Sequence, residues 1–194
     1  MLRRLYDWTM ALARTRHAER SLAGISFVES SFFPIPPDVL LIPMVLAERQ
    51  KWVRYAVIST VASVAGALLG YLIGAVLFES IGHPILAFYG YMDKFEEFQL
   101  AFNQWGLLIV LVFGGLTPLP YKVITIASGV TGLLLPVFIV SSLIARGTRF
   151  FLVAWLLHYF GEPIRTFIEK HLSLLFTLFM ALLIGGFIAI RYLF

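Results

Sequence analysis

The stretch Glu29-Ser-Ser-Phe-Phe-Pro-Ile-Pro-Pro-Asp38 sets two carboxylates and three prolines inside a run otherwise apolar enough to enter a bilayer. Pro34, Pro36 and Pro37 lack a backbone N–H, so no regular helix runs through them. A helix entering from Leu22 is predicted to stop near Phe33, and a second to begin near Asp38. Open backbone at membrane depth is tolerated only where protein buries it or it lines a watery cavity. Eighty-four residues on, Phe113-Gly-Gly-Leu-Thr-Pro-Leu-Pro-Tyr-Lys122 repeats the pattern, with Pro118 and Pro120 registering on Pro34 and Pro36 and Lys122 standing where Asp38 stood. The two breaks are expected to meet and enclose one polar site.

Composition agrees with a membrane setting. With 60% hydrophobic and 13% charged residues in 194, and mean hydropathy +0.89, the chain is too apolar for a soluble domain of its size. It has room for one membrane domain and none for a separate soluble catalytic domain. There is no cysteine, which excludes disulfides and thiolate chemistry. The histidines at 17, 83, 158 and 171 show no ligand spacing, and no Gly-x-Ser-x-Gly elbow accompanies Ser30 and Ser31, so neither metal, cofactor nor enzyme activity is expected. Met1 to Arg20 carries five arginines and no apolar core, which does not read as a cleavable signal peptide.

Along the chain, residues 1–20 read as an amphipathic surface helix with Leu2, Leu5, Trp8 and Leu12 on one face. Residues 22–47 read as a first re-entrant hairpin. Residues 55–78 are a crossing helix carrying Gly66, Gly70 and Gly74, a small-residue stripe for close helix packing. Residues 92–105 form a second surface helix, 106–135 a second hairpin, and 136–160 and 172–190 two further crossings. If the first hairpin dips and returns, the arginines before it and Arg49, Lys51 and Arg54 after it share the cytoplasmic side, and ten of the fifteen cations lie inside. The N-terminus is then cytoplasmic and the C-terminus outside. The +4 net charge is thus distributed by membrane side and is no nucleic-acid signal. The order of surface helix, hairpin and crossing occurs twice from opposite sides, an all-α inverted repeat of the kind secondary transporters use.

Five ionisable residues fall at bilayer depth: Glu29, Asp38, Lys122, Arg146 and Arg149. Each costs about 2.5–3.5 kcal/mol at a helix centre unless paired or hydrated. Acids in the first half and bases in the second are expected to pair. Glu29 and Asp38 read either as a proton-titrating pair or as a static ion-pair partner and a helix cap. Arg146 and Arg149 share one helical face and read either as a bidentate phosphate site or as locks on the acids. Lys122 adds a point charge for an anion or snorkels to the surface.

These motifs resemble the DedA superfamily, also called VTT-domain or SNARE-associated Golgi proteins. The resemblance is carried by Glu29 and Asp38 across Phe33-Pro-Ile-Pro-Pro, by Gly66, Gly70-Tyr and Gly74, and by Phe113-Gly-Gly with its proline turn and Lys122. Leu-Thr-Pro-Leu-Pro-Tyr-Lys resembles the YqaA-type branch. The resemblance implies two opposed re-entrant hairpins in the bacterial inner membrane and movement of lipids such as polyprenyl phosphate. Glu29 and Asp38 match acidic positions of the family's first motif. In the second, Gly115 stands where an arginine is common, and Lys122 lies one residue beyond a second basic position. The leading expectation is a flippase for a phosphorylated lipid with proton coupling, its partners membrane lipids. A proton-coupled carrier of a small solute or ion, and a non-transporting membrane scaffold, are the alternatives.

Overall fold

The computed structural model describes residues 17–32, 36–115, 121–161 and 163. The expected surface helix up to residue 16, the span 172–190, and Pro34, Pro118 and Pro120 lie outside them.

Helix α1, Ala18–Ser31, ends where Phe32 leaves helical geometry, two residues ahead of the proline run. Helix α2, Asp38–Ala47, starts with Pro37 at its N-cap, and the Pro36 and Pro37 carbonyls accept the N–H groups of Val39, Leu40 and Leu41. The prolines therefore both end one helix and begin the next. A short 3-10 turn, Arg49–Lys51, leads into α3, Trp52–Leu77. A π-helical turn, Phe78–Gly82, joins α3 to α4, His83–Tyr89, so the expected crossing at 55–78 is part of a helical run spanning Arg49–Tyr89. Its 41 residues measure roughly 60 Å at 1.5 Å per residue, about twice a hydrocarbon core, so its polar end must leave the apolar layer.

Gly90, at φ 69°, ends α4 in a left-handed cap with Tyr91 N–H donating to the Leu86 carbonyl and Gly90 N–H to that of Ala87. Gly132, at φ 64°, repeats this arrangement after α6, Tyr121–Val130, through Leu133 to Ser128 and Gly132 to Gly129. Between them α5, Met92–Gly115, is one continuous helix. This corrects the expected division at residue 106 into a surface helix and a hairpin arm. Gly106 does not break the helix; it lets the Leu133 side chain lie against the backbone, where a β-carbon would collide with it. The rings of Phe78, Phe95, Phe98 and Phe102 contact in sequence and tie the π turn to α5. Helix α7, Leu135–Gly161, follows.

Two apolar clusters are separated by a polar belt. The first joins Ala18 and Leu22 of α1, Leu40 to Val45 of α2, Tyr55 and Ala56 of α3, and Phe150 to Leu157 of α7. The second joins Ala67 of α3, Phe102 and Val110 of α5, Tyr121 and Ile124 of α6, and Phe138 of α7. Helices α3 and α7 thus pass through both clusters in opposite directions. By contrast, α1 and α2 share only the first, and α5 and α6 share only the second. Between the clusters α3 carries Ser59, Thr60, Ser63 and Gly66, and α7 carries Ser141, Ser142 and Arg146, all buried.

The small-residue stripe brings α3 against α1 and α6. A β-carbon at Gly66 would collide with the Phe27 carbonyl of α1, at Gly74 with the Ile126 carbonyl of α6, and at Gly70 with Thr125. Gly129 of α6 returns the contact against the Tyr71 carbonyl. Backbones approach this closely only where no side chain intervenes.

Candidate functional site: a buried ion-pair cluster in the polar belt

Arg146 is 0% exposed and is the largest fully buried side chain among the described residues. Its Nη2 donates to Glu29 Oε2 at 2.7 Å and its Nε to Ser63 Oγ at 2.7 Å. The rings of Tyr121 and Phe150 lie 4.8 and 4.7 Å from its guanidinium carbon. Aromatic faces attract a desolvated guanidinium while leaving its edge available for hydrogen bonds. Tyr121 is itself held by donating its hydroxyl to Ser142 Oγ at 2.5 Å. The remaining Nη1 is buried and has no hydrogen-bond partner among the described residues.

One turn along α7, Arg149 Nη2 donates to Asp38 Oδ2 at 2.8 Å. This pair is wetter than the first: the Arg149 and Asp38 side chains are 29% and 21% exposed, against 0% and 12% for Arg146 and Glu29. The i, i+3 spacing of the arginines places them over the two ends of the first proline break, Glu29 on α1 and Asp38 on α2. The cluster holds two positive and two negative charges, so its charges balance without a ligand.

Of the residues singled out from sequence, Glu29, Asp38, Arg146 and Arg149 come together, while Lys122 does not join them. It opens α6 beside Tyr121, half-buried, and makes no ion pair among the described residues. Pro36 serves the break through its carbonyl. Gly66, Gly70 and Gly74 line the α3 contacts that draw α1 and α6 together. Sequence reasoning missed Ser63, Tyr121 and Phe150. The available signal was Ser59 and Ser63, four residues apart in an otherwise apolar crossing helix, whose hydroxyls need buried partners.

The second hairpin is closed by side chains. Gln99 Nε2 and Asn103 Nδ2 of α5 both donate to the Thr131 carbonyl, at 2.8 and 3.0 Å, and the Tyr71 hydroxyl donates to that of Leu133 at 2.8 Å. These satisfy carbonyls exposed by the end of α6.

The chain matches the VTT domain family over residues 35–159. It is 36% identical over 171 residues to an uncharacterised protein of Haemophilus influenzae, covering 88% of each chain. It is 37% identical over 169 residues to an uncharacterised protein of Histophilus somni, covering 85% of this chain and 87% of the relative. No solved structure matches. With that domain running from the first proline break nearly to the end of α7, and two helical runs long and apolar enough to cross a membrane, this chain belongs to the VTT-domain family of DedA/SNARE-associated Golgi membrane proteins.

Proposed function

We propose that this protein is a DedA-type membrane carrier, and not an enzyme, that moves a phosphorylated lipid such as polyprenyl phosphate across the bacterial inner membrane. The observation that supports it most is Arg146: a fully buried guanidinium, 4.8 and 4.7 Å from two aromatic rings, with Nη1 unsatisfied among the described residues. A phosphate oxygen suits that donor, and Arg149 one turn away offers a second guanidinium. Glu29 and Asp38 occupy the arginines in the absence of substrate. A proton on either carboxyl removes the acceptor's negative charge and with it the ion pair, which frees a guanidinium for the anion and couples movement to protons. Lys122, on the second hairpin, adds a point charge along the entry route.

The topology of this reading is an inverted repeat. Helices α2 and α6 have 10 residues each, roughly 15 Å, half of what crossing requires. Each returns to the apolar cluster from which its hairpin entered, and the two hairpins use opposite clusters. Helix α3 touches the first arm of one hairpin and the second arm of the other; α7 does the converse. With residues 172–190 as a third crossing, the N-terminus is cytoplasmic and the C-terminus periplasmic.

The test is translocation of a labelled polyprenyl phosphate by protein reconstituted in liposomes. Arg146→Ala is expected to abolish it, and full activity in that variant overturns the reading. Proton flux driven by a solute gradient, with no dependence on the lipid, points instead to a carrier of small solutes.

A further inference from the structure

Helices α1 and α3 run in the same direction: Glu19 bonds Arg54 near their starts, and Ser30 bonds Ser63 further along. One turn, roughly 6 Å, before Ser30 on α1 and Ser63 on α3 stand Ser26 and Ser59. Both Ser26 and Ser59 are 0% exposed, and neither hydroxyl has a partner among the described residues. Thr60, Ser31, Ser128 and Ser141 donate to the carbonyl four residues back; Ser26 and Ser59 do not. Two buried hydroxyls without partners, each one turn from a hydrogen-bonded pair on parallel helices, are a setting in which interior water is retained.

The hydrogen bonds beyond them have a fixed sense. The Ser30 hydroxyl donates to Glu29 Oε2 at 3.1 Å, so the 2.6 Å bond between Ser30 and Ser63 is donated by Ser63. Ser63 Oγ accepts one N–H from Arg146 Nε and keeps one lone pair for a donor on the Ser26–Ser59 side. Every O–H in the row is therefore oriented toward Glu29.

We propose that a water held between Ser26 and Ser59 extends this row into a proton path that loads Glu29 through Ser63 and Ser30. The water's proton passes to Ser63 as the Ser63 proton passes to Ser30 and the Ser30 proton to the Glu29 carboxylate. A hydronium and a carboxylate become water and a carboxylic acid, and the hydroxyls rotate back. Arg146 of α7 bonds Glu29 and Tyr121 of α6 interacts with it, while Arg149 of α7 and Asp38 of α2 form the neighbouring pair that acts on Arg146; from α3, Ser63 bonds Arg146. Leu22 and Tyr55, a further turn back on α1 and α3, are buried between the water and the exposed Glu19–Arg54 pair. Protons therefore reach the row when α1 shifts on α3. The path rests on Glu29 taking a proton, as in the proposed function, and adds the side from which the proton arrives.

The experiment is time-resolved infrared spectroscopy of the reconstituted protein after a pH drop, following the carboxylic-acid band absent from Glu29→Gln. Ser59→Val, which fills the gap, and the double variant Ser26→Ala/Ser59→Ala, which removes both anchors, are expected to slow the band about a hundredfold, the lower end of what a positioned proton-transfer group contributes, without changing its final amplitude. Ser59→Thr restores the hydroxyl and is expected to restore the rate. Wild-type kinetics in both hydroxyl-free variants overturn the path, as does the absence of a Glu29 band at any pH. If the reconstituted wild-type protein moves no polyprenyl phosphate while the band slows in these variants as expected, the carrier reading fails and the path stands.

Discussion

Removing the Glu29 carboxylate leaves Arg146 with a single hydrogen bond, from Nε to Ser63, in a site without solvent access. Breaking a buried pair by deleting one partner costs about 3–5 kcal/mol, because the remaining charge stays desolvated and unpaired. Nη1 is already unsatisfied, so Glu29→Ala is expected near the upper end of that range. Asp38→Ala breaks a bond of nearly equal length, 2.8 against 2.7 Å, but both partners are partly exposed, and the expected loss is about 1 kcal/mol. The assay is equilibrium unfolding in mixed micelles followed by circular dichroism. Glu29→Ala should shift the folded-to-unfolded ratio by roughly a hundredfold or more relative to Asp38→Ala. Adding Arg146→Met removes the stranded charge and should recover part of the loss, though the contacts with Tyr121 and Phe150 are weakened. Equal destabilisation by the two acid substitutions, or no recovery in Glu29→Ala/Arg146→Met, would refute the assignment of the deeper pair.

Three other outcomes follow from the geometry and are read in the same unfolding assay. Ser63→Ala strands the Nε of Arg146 and should cost about 1–3 kcal/mol, whereas exposed Ser80→Ala should be near neutral. Gly66→Ala puts a methyl into the Phe27 backbone and should cost about 1–3 kcal/mol, while Gly24→Ala on α1, with nothing within 4 Å, should gain up to about 1 kcal/mol. Arg54→Ala removes the exposed pair with Glu19 and should cost less than about 1 kcal/mol, with the difference vanishing in high salt.

Helix ends were legible where local chemistry dictates them. Helix α1 ends two residues short of the expected Phe33, and α2 starts at Asp38 as read. The division at residue 106 was misread because a change from polar to apolar composition resembles an element boundary, whereas a helix backbone has no reason to stop there. Likewise the π turn at 78–82 lets the crossing helix continue into polar sequence, and neither Gly82 nor Pro84 ends it, since proline is tolerated in the first turn of the helix that follows.

Apolar composition, paired proline breaks and charges of opposite sign in the two halves determined from sequence alone that this is a helical membrane protein with a shared polar interior. Those properties belong to single residues and their near neighbours. Only the tertiary structure decided that Glu29 pairs with Arg146 and Asp38 with Arg149, across 117 and 111 positions, that the first pair is dry and the second wet, and that Ser63, Tyr121 and Phe150 complete the site. The physical reason is register: each partner is set by how far one helix slides along another before glycine backbones meet, and no short stretch of the chain encodes that distance.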